Sequence, residues 1–234
     1  MEGLEYRMNA HIIGTGSFLP EKVVTNFDLA ERMETNDEWI VSRTGIRQRH
    51  IAVEESTAGM AAEAARRALS CAGMTAGELE MILLATVSPD HIVPCAACEV
   101  QAMLGAVNAV AIELNAACSG FVFALNTAQA YIRAGIYSRI LVIGVETLSK
   151  LVDWTDRSTC ILFGDGAGAA VVTASENRGI QDFIQFSDGA KGEALLCDAK
   201  PLRNLFAHQE PAQEFVKMDG QEVFKFAVRR VSES

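Results

Sequence analysis

Short unbroken apolar runs alternate along the chain with longer segments of helical period. Glu80–Thr86 (Glu-Met-Ile-Leu-Leu-Ala-Thr) and Arg139–Val145 (Arg-Ile-Leu-Val-Ile-Gly-Val) predict strands covered on both faces. Ala10–Gly16, Ala109–Leu114 and Ala169–Ala174 read as further strands, and Cys160–Phe163 is short and apolar. Between them, Glu55-Ser56-Thr57 leads an alanine-rich helix over 57–72, ended by Gly73. A helix over 96–104 stops at Gly105, and one over 119–134 closes at Gly135. The last is apolar on most faces, so burial all round is expected. Near the start, Thr25-Asn26-Phe27-Asp28 has the polar residues of a helix cap, with a helix to about Met33. Asp37 opens another short helix. This alternation up to about residue 174 indicates an α/β layering around a buried sheet. From 176 to 217 the pattern is mixed and predicts loops and short strands, with Gly189, Gly192 and Pro201. Gln221–Arg230 then starts a new amphipathic helix, an unusual place for a complete domain to end.

Composition narrows the function classes. Half of the 234 residues are hydrophobic, enough for a sizeable core. No apolar run reaches about 18 residues, so no membrane-spanning helix is expected. Met1–Arg7 lacks the plan of a signal peptide, and a cytoplasmic protein is the default expectation. The formal net charge of −10 argues against nucleic acid or an anionic membrane as partner.

The six cysteines are Cys71, Cys95, Cys98, Cys118, Cys160 and Cys197, expected to be free thiols. Cys95-Ala96-Ala97-Cys98 has CxxC spacing but no second ligand pair, so no metal is expected. A redox reading lacks the usual aromatic residue before the first cysteine, and the favoured reading is two small buried cysteines near a helix start.

Cys118 carries the sharpest chemistry. It lies in Asn115-Ala116-Ala117-Cys118-Ser119-Gly120-Phe121, between a strand and a helix. Small residues there leave room for a ligand to approach. A thiol at a helix N-terminus can have its pKa lowered from about 8.5 to roughly 3.5–7.5. Backbone N–H groups at the same place can hold a developing oxyanion. A reactive group on a buried helix implies a tunnel. Local physics alone leaves open an acyl-accepting nucleophile or a small structural cysteine. None of His11, His50, His91 and His208 has a recognisable catalytic context. Gly164-Asp165-Gly166-Ala167-Gly168 has GxGxG spacing followed by a strand, which favours tight backbone packing over a nucleotide site. Lys225 and Arg229, one helical turn apart, form either a solvated face or a docking site for an acidic partner.

Several longer motifs extend the pattern. They are Ile13-Gly14-Thr15-Gly16-Ser17-Phe18-Leu19-Pro20, Asp37 to Arg47 (DEWIVSRTGIR), Ala116 to Phe121, Thr155-Asp156-Arg157, and Phe163 to Val171 (FGDGAGAAV). Together they make the chain closely resemble the β-ketoacyl-acyl-carrier-protein synthase III family, nearly end to end from Met8. The resemblance implies a thiolase-like α/β fold, layered αβαβα, in a homodimer. It implies an acyltransferase that loads an acyl group, typically acetyl, from acyl-CoA onto Cys118. Condensation with malonyl-acyl-carrier protein, with loss of carbon dioxide, would then give 3-oxoacyl-carrier protein and initiate fatty-acid synthesis. Acyl-CoA is a substrate, and no cofactor is implied.

By the same resemblance, Trp39 and Arg157 flank the CoA adenine, and Arg43 and Thr44 lie near the nucleotide. Leu148, Leu162, Phe163, Gly220 and Phe224 match the pantetheine and acyl pocket. Val93 takes the place of a residue that reaches the partner's acyl pocket, and its small size suggests a longer or branched primer. Lys225 matches a carrier-protein docking position, to which helix geometry adds Arg229.

Residues 1–7 read as an extension, 8–175 as the first thiolase-like half with the nucleophile, and 176–234 as a connecting segment and the start of a second half. That second half is expected to be truncated. The family's His-Gln-Ala-Asn and Gly-Asn-Thr-Ser motifs do not occur in the sequence. On the order of 100 further residues would be needed to hold them, and without them the chain as given is expected to accept an acyl group on Cys118 but not to complete the condensation. A related CoA-using enzyme of secondary metabolism and a non-catalytic half-fold are the alternatives.

Overall fold

The computed structural model describes residues 8–210 and 213–233; the expected extension at 1–7 lies outside them. In chain order the elements are β1 (Asn9–Phe18), β2 (Val23–Thr25), α1 (Asn26–Ala30), α2 (Asp37–Thr44), β3 (Gln48–His50), α3 (Thr57–Ala72), β4 (Met81–Ala85), α4 (Ala96–Leu104) and β5 (Val110–Leu114). They continue with α5 (Gly120–Arg133), β6 (Arg139–Thr147), β7 (Asp165–Ser175), β8 (Leu195–Leu196), β9 (Lys217–Met218) and α6 (Gly220–Glu233). The chain forms two compact units, each drawn from separated stretches, whereas the sequence-based division is into consecutive segments.

The first unit takes in the chain up to Val23, His50–Thr147 and Gly164–Phe183. Its five-stranded sheet has the order β1-β7-β6-β4-β5. β4 runs parallel to both β5 and β6, while β7 is antiparallel to β6 and to β1. All five residues of β4 are buried, as its unbroken apolar run predicts. The period of two divides β6 between two cores. Leu141, Ile143 and Val145 face α3 and α4, whereas Ile140 and Val142 face α5. Each fully buried Leu or Ile contributes about 1.5–3 kcal/mol.

The alanines of α3 let it lie close to the sheet. A Cβ on Gly16 would sit 2.3 Å from the Ala64 carbonyl oxygen, so only glycine fits that crossing. Ser56 caps α3 by accepting from Gly59 N–H, and Gly73 ends it in the left-handed region at φ 67°.

Three expectations are corrected. β7 begins at Asp165, not Ala169, because the whole glycine-rich run pairs with β6, and its Ala167 and Gly168 also pair with β1. β6 extends to Thr147 for the same reason: Glu146 and Thr147 pair with Gly166 and Asp165. α5 is not buried all round. Ala124, Ala128 and Ile132 face the sheet, while Val122 and Ala130 are exposed.

The second unit comprises Val24–Arg49, Leu148–Phe163 and Ile184–Ser234. Thr25 and Asp28 form a capping box at α1, which ends at Ala30, earlier than the pattern suggested. Asn36 caps α2, and Gly45 closes it at φ 74°. Leu29, Ile40, Val152, Cys160 and Ile161 form this unit's core. Arg49 is buried beside it and donates to Asn26 (2.8 Å) and to the Ile161 carbonyl (3.1 Å).

Candidate active site

Cys118 sits on a short, strained connection. β5 ends at Leu114, and Ala117–Ser119 form a single 3-10 turn before α5 begins at Gly120. Ala117 has φ 45°, the one non-glycine among the described residues with positive φ. A side chain in that region costs on the order of 1–3 kcal/mol, and such strain clusters at functional sites. The turn is braced by Ser119 N–H donating to the Ala116 carbonyl (3.2 Å) and by Ala117 N–H reaching Asn115 Oδ1 (3.3 Å). Gly120 is buried, and a Cβ there would lie 2.8 Å from Ala85 Cβ. Phe121 lies against Gly144, 3.3 Å from where its Cβ would be. The small residues of the motif therefore let the start of α5 rest on the ends of β4 and β6. The thiol at the tip is exposed.

Glu146, at the same end of the sheet, escaped the sequence reading. Its carboxylate accepts from Val87 N–H (3.0 Å), Thr86 Oγ1 (3.3 Å) and Ser88 Oγ. Ser88 Oγ in turn accepts from Thr147 N–H (2.7 Å). Burial pushes the Glu146 carboxyl above its ordinary value, against the pull of these donors. The available signal was an acid closing an otherwise apolar strand. Asp90 anchors the loop that follows by accepting from Thr57 and Ala58 N–H at the start of α3 (3.0 and 2.9 Å). Val93, further along this loop, is 84% exposed.

In the second unit, three of the expected nucleotide-binding residues converge. The guanidinium carbons of Arg43 and Arg157 lie 5.0 and 5.3 Å from the Trp39 ring centroid. Arg157 Nη1 also donates to the Glu34 carbonyl (2.6 Å). Trp39, Leu162 and Phe163 pack on one shared core. Thr44 is engaged locally: its hydroxyl donates to the Ile40 carbonyl (2.7 Å) and accepts from Ile46 N–H (3.0 Å). Leu148 opens a 3-10 turn at Leu148–Lys150. Gly220 begins α6, on which Phe224 is exposed. Lys225 pairs with Glu222 (2.9 Å), which also holds Lys191 (3.1 Å), while Arg229 is exposed. Cys160 is buried, and desolvation pushes its thiol up to about 11. Among the described residues no cluster of metal-ligating side chains occurs, and no helix is long and apolar enough to cross a membrane.

Sheet and strained cysteine turn together define a class, the thiolase-like α/β condensing enzymes. The structure superposes on 3-oxoacyl-[acyl-carrier-protein] synthase III from Aquifex aeolicus with a TM-score of 0.85 and 44% identity, covering 96% of this chain and 69% of that one. For the β-ketoacyl-[acyl-carrier-protein] synthase III from Thermus thermophilus the values are 0.86 and 40%, covering 94% and 68%. The sequence is 52% identical over 225 residues to β-ketoacyl-[acyl-carrier-protein] synthase III of Streptococcus pneumoniae, covering 96% of this chain and 69% of the relative. The profile of 3-oxoacyl-[acyl-carrier-protein] synthase III matches residues 112–191, which contain Cys118. The chain belongs to the β-ketoacyl-[acyl-carrier-protein] synthase III family, condensing acyltransferases of fatty-acid synthesis.

Proposed function

We propose that the chain loads an acyl group, typically acetyl, from acyl-CoA onto Cys118, the first step of the family's condensation with malonyl-acyl-carrier protein. The thiolate attacks the thioester carbonyl, and CoA leaves. Decarboxylation of the malonyl group then generates the carbanion that attacks the acyl-cysteine, giving 3-oxoacyl-carrier protein. Dividing one condensation into acylation and transfer is the logic of covalent catalysis. The observation that carries this reading is the exposed Cys118 on a strained turn before α5, whose N-terminal end favours negative charge.

Acyl-CoA acts as a substrate, with no resident cofactor. Its adenine is bound at Trp39, between the indole and Arg157, with Arg43 and Thr44 at the nucleotide. Leu148, Leu162, Phe163, Gly220 and Phe224 line the pantetheine and acyl path. Lys225 and Arg229 meet the acidic carrier protein; their shared helix face supports this. A homodimer is supported by β5. It is an edge strand in which Val110 and Ile112 are 45% and 43% exposed. In that dimer Val93 borders the partner's acyl pocket and admits a longer or branched primer. The site of action is the cytoplasm, with neither nucleic acid nor membrane as partner, in keeping with the net charge of −10.

The experiment is an acylation assay with radiolabelled acetyl-CoA, following label on the protein and release of CoA. Labelling that Cys118→Ala abolishes supports the reading. Equal labelling of the variant, or none of the folded chain, refutes it.

A further inference from the structure

Cys95-Ala96-Ala97-Cys98 takes no part in the chemistry above. The sequence suggests two buried structural cysteines, and the structure corrects this: Cys95 is half-buried and Cys98 exposed. Both thiols are free, with their sulfurs 3.5 Å apart.

The helix start explains the contact. Cys95 is the N-cap of α4, with φ −71° and ψ 150°. Cys98, three residues on, donates its N–H to the Cys95 carbonyl (3.0 Å). An N-cap side chain folds over the first turn, and the side chain three residues later reaches back towards it, as in a capping box. Here both are cysteines, so two sulfurs meet where a hydroxyl and a carboxylate usually do. Residues so related fall within the Cα separation a disulfide spans, about 4.4–6.8 Å. The turn does not need these thiols as caps. Cys95 makes no side-chain cap hydrogen bond, and Glu113 accepts from Ala96 N–H instead (2.7 Å). His91 Nδ1 and Glu99 (2.9 Å) brace the approaching loop.

We propose that Cys95 and Cys98 form a reversible thiol–disulfide site, oxidised by small-molecule disulfides of the glutathione type. One thiolate attacks a sulfur of glutathione disulfide and expels one glutathione thiolate. The neighbouring thiolate then attacks the mixed disulfide and expels the second. Two cysteine thiols become one disulfide, and their protons end on two reduced glutathiones. The bond closes the first turn of α4 at the foot of the loop that carries Val93. This inference does not depend on the acyl-transfer reading.

The test treats the whole chain with glutathione disulfide until the exposed Cys71 is fully glutathionylated, followed by alkylation and peptide mass mapping. The expected result is a peptide joining Cys95 to Cys98, short of two hydrogens, that resists alkylation until dithiothreitol is added. In Cys95→Ser, which keeps a good N-cap, Cys98 is expected to carry a stable glutathione instead. Wild-type protein with both cysteines still alkylated, with a persistent glutathione on either, or with Cys98 bonded elsewhere overturns the proposal.

Discussion

The guanidinium of Arg157 stands over the indole of Trp39, 5.3 Å from the ring centroid, and is held there by its bond to the Glu34 carbonyl. A planar base inserted between them needs two van der Waals gaps, about 7–8 Å in all. Arg157 must therefore swing outward as the proposed adenine enters, then close on its far face. A cation–π contact of about 0.5–2 kcal/mol is at stake. Arg157→Ala is expected to weaken CoA binding roughly two- to thirty-fold. Titration calorimetry of CoA into both proteins checks this; equal dissociation constants would remove Arg157 from the site.

Val93 sets the second expectation. A bulkier side chain at this exposed loop position would shorten the acyl pocket in the proposed dimer. Val93→Phe should shift acylation from butyryl- and longer acyl-CoAs towards acetyl-CoA. Rates measured across a primer series test it, and an unchanged profile in the variant counts against a specificity role.

Glu146 gives a pH signature. Its folded carboxyl is raised above the ordinary 4.5 by burial. Below the ordinary value both folded and unfolded chains carry the proton, and the stabilisation is complete. As pH rises towards the folded value, the unfolded chain gives up its proton first, so this site's contribution declines. Glu146→Gln has no proton to lose. Urea unfolding across a pH series should show the variant gaining stability relative to wild type as pH rises. A difference that does not change with pH contradicts the assignment.

Two glycines should respond very differently to alanine. At Gly16 the new Cβ meets the Ala64 carbonyl oxygen and the Ala68 nitrogen at 2.3 and 2.4 Å, both backbone atoms of α3. At Gly168 nothing lies within 4 Å. Gly16→Ala is expected to cost about 3 kcal/mol or more, the upper end of overpacking. Gly168→Ala should stay within about 0.5 kcal/mol. Thermal unfolding of both variants decides it; equal shifts would show that the β1–α3 approach is not the constraint.

The legible parts of the fold were those where one local force dominates. β4 declared itself by burial on both faces, and α3 by its alanines, Ser56 cap and Gly73 stop. Pairing partners were not legible: Asp165–Gly168 read as closely packed backbone before a strand and is itself strand because it pairs along β6, with Ala167 and Gly168 also pairing with β1. The same limit hid Glu146, whose donors Thr86, Val87 and Ser88 come from 58 to 60 residues away. Motif residues singled out Cys118 as the candidate nucleophile, whereas its exposure is a tertiary property. The strain at Ala117 is likewise a backbone angle that composition does not encode.

Acylation of Cys118 is the most direct measurement. The chain is mixed with acetyl-CoA, quenched in acid and mapped by peptide mass. One acetyl group is predicted on Cys118, absent from Cys118→Ala and from the exposed Cys71 and Cys98. A folded protein that gains no acetyl group, or gains it on another cysteine, would contradict the assignment of Cys118 as the nucleophile.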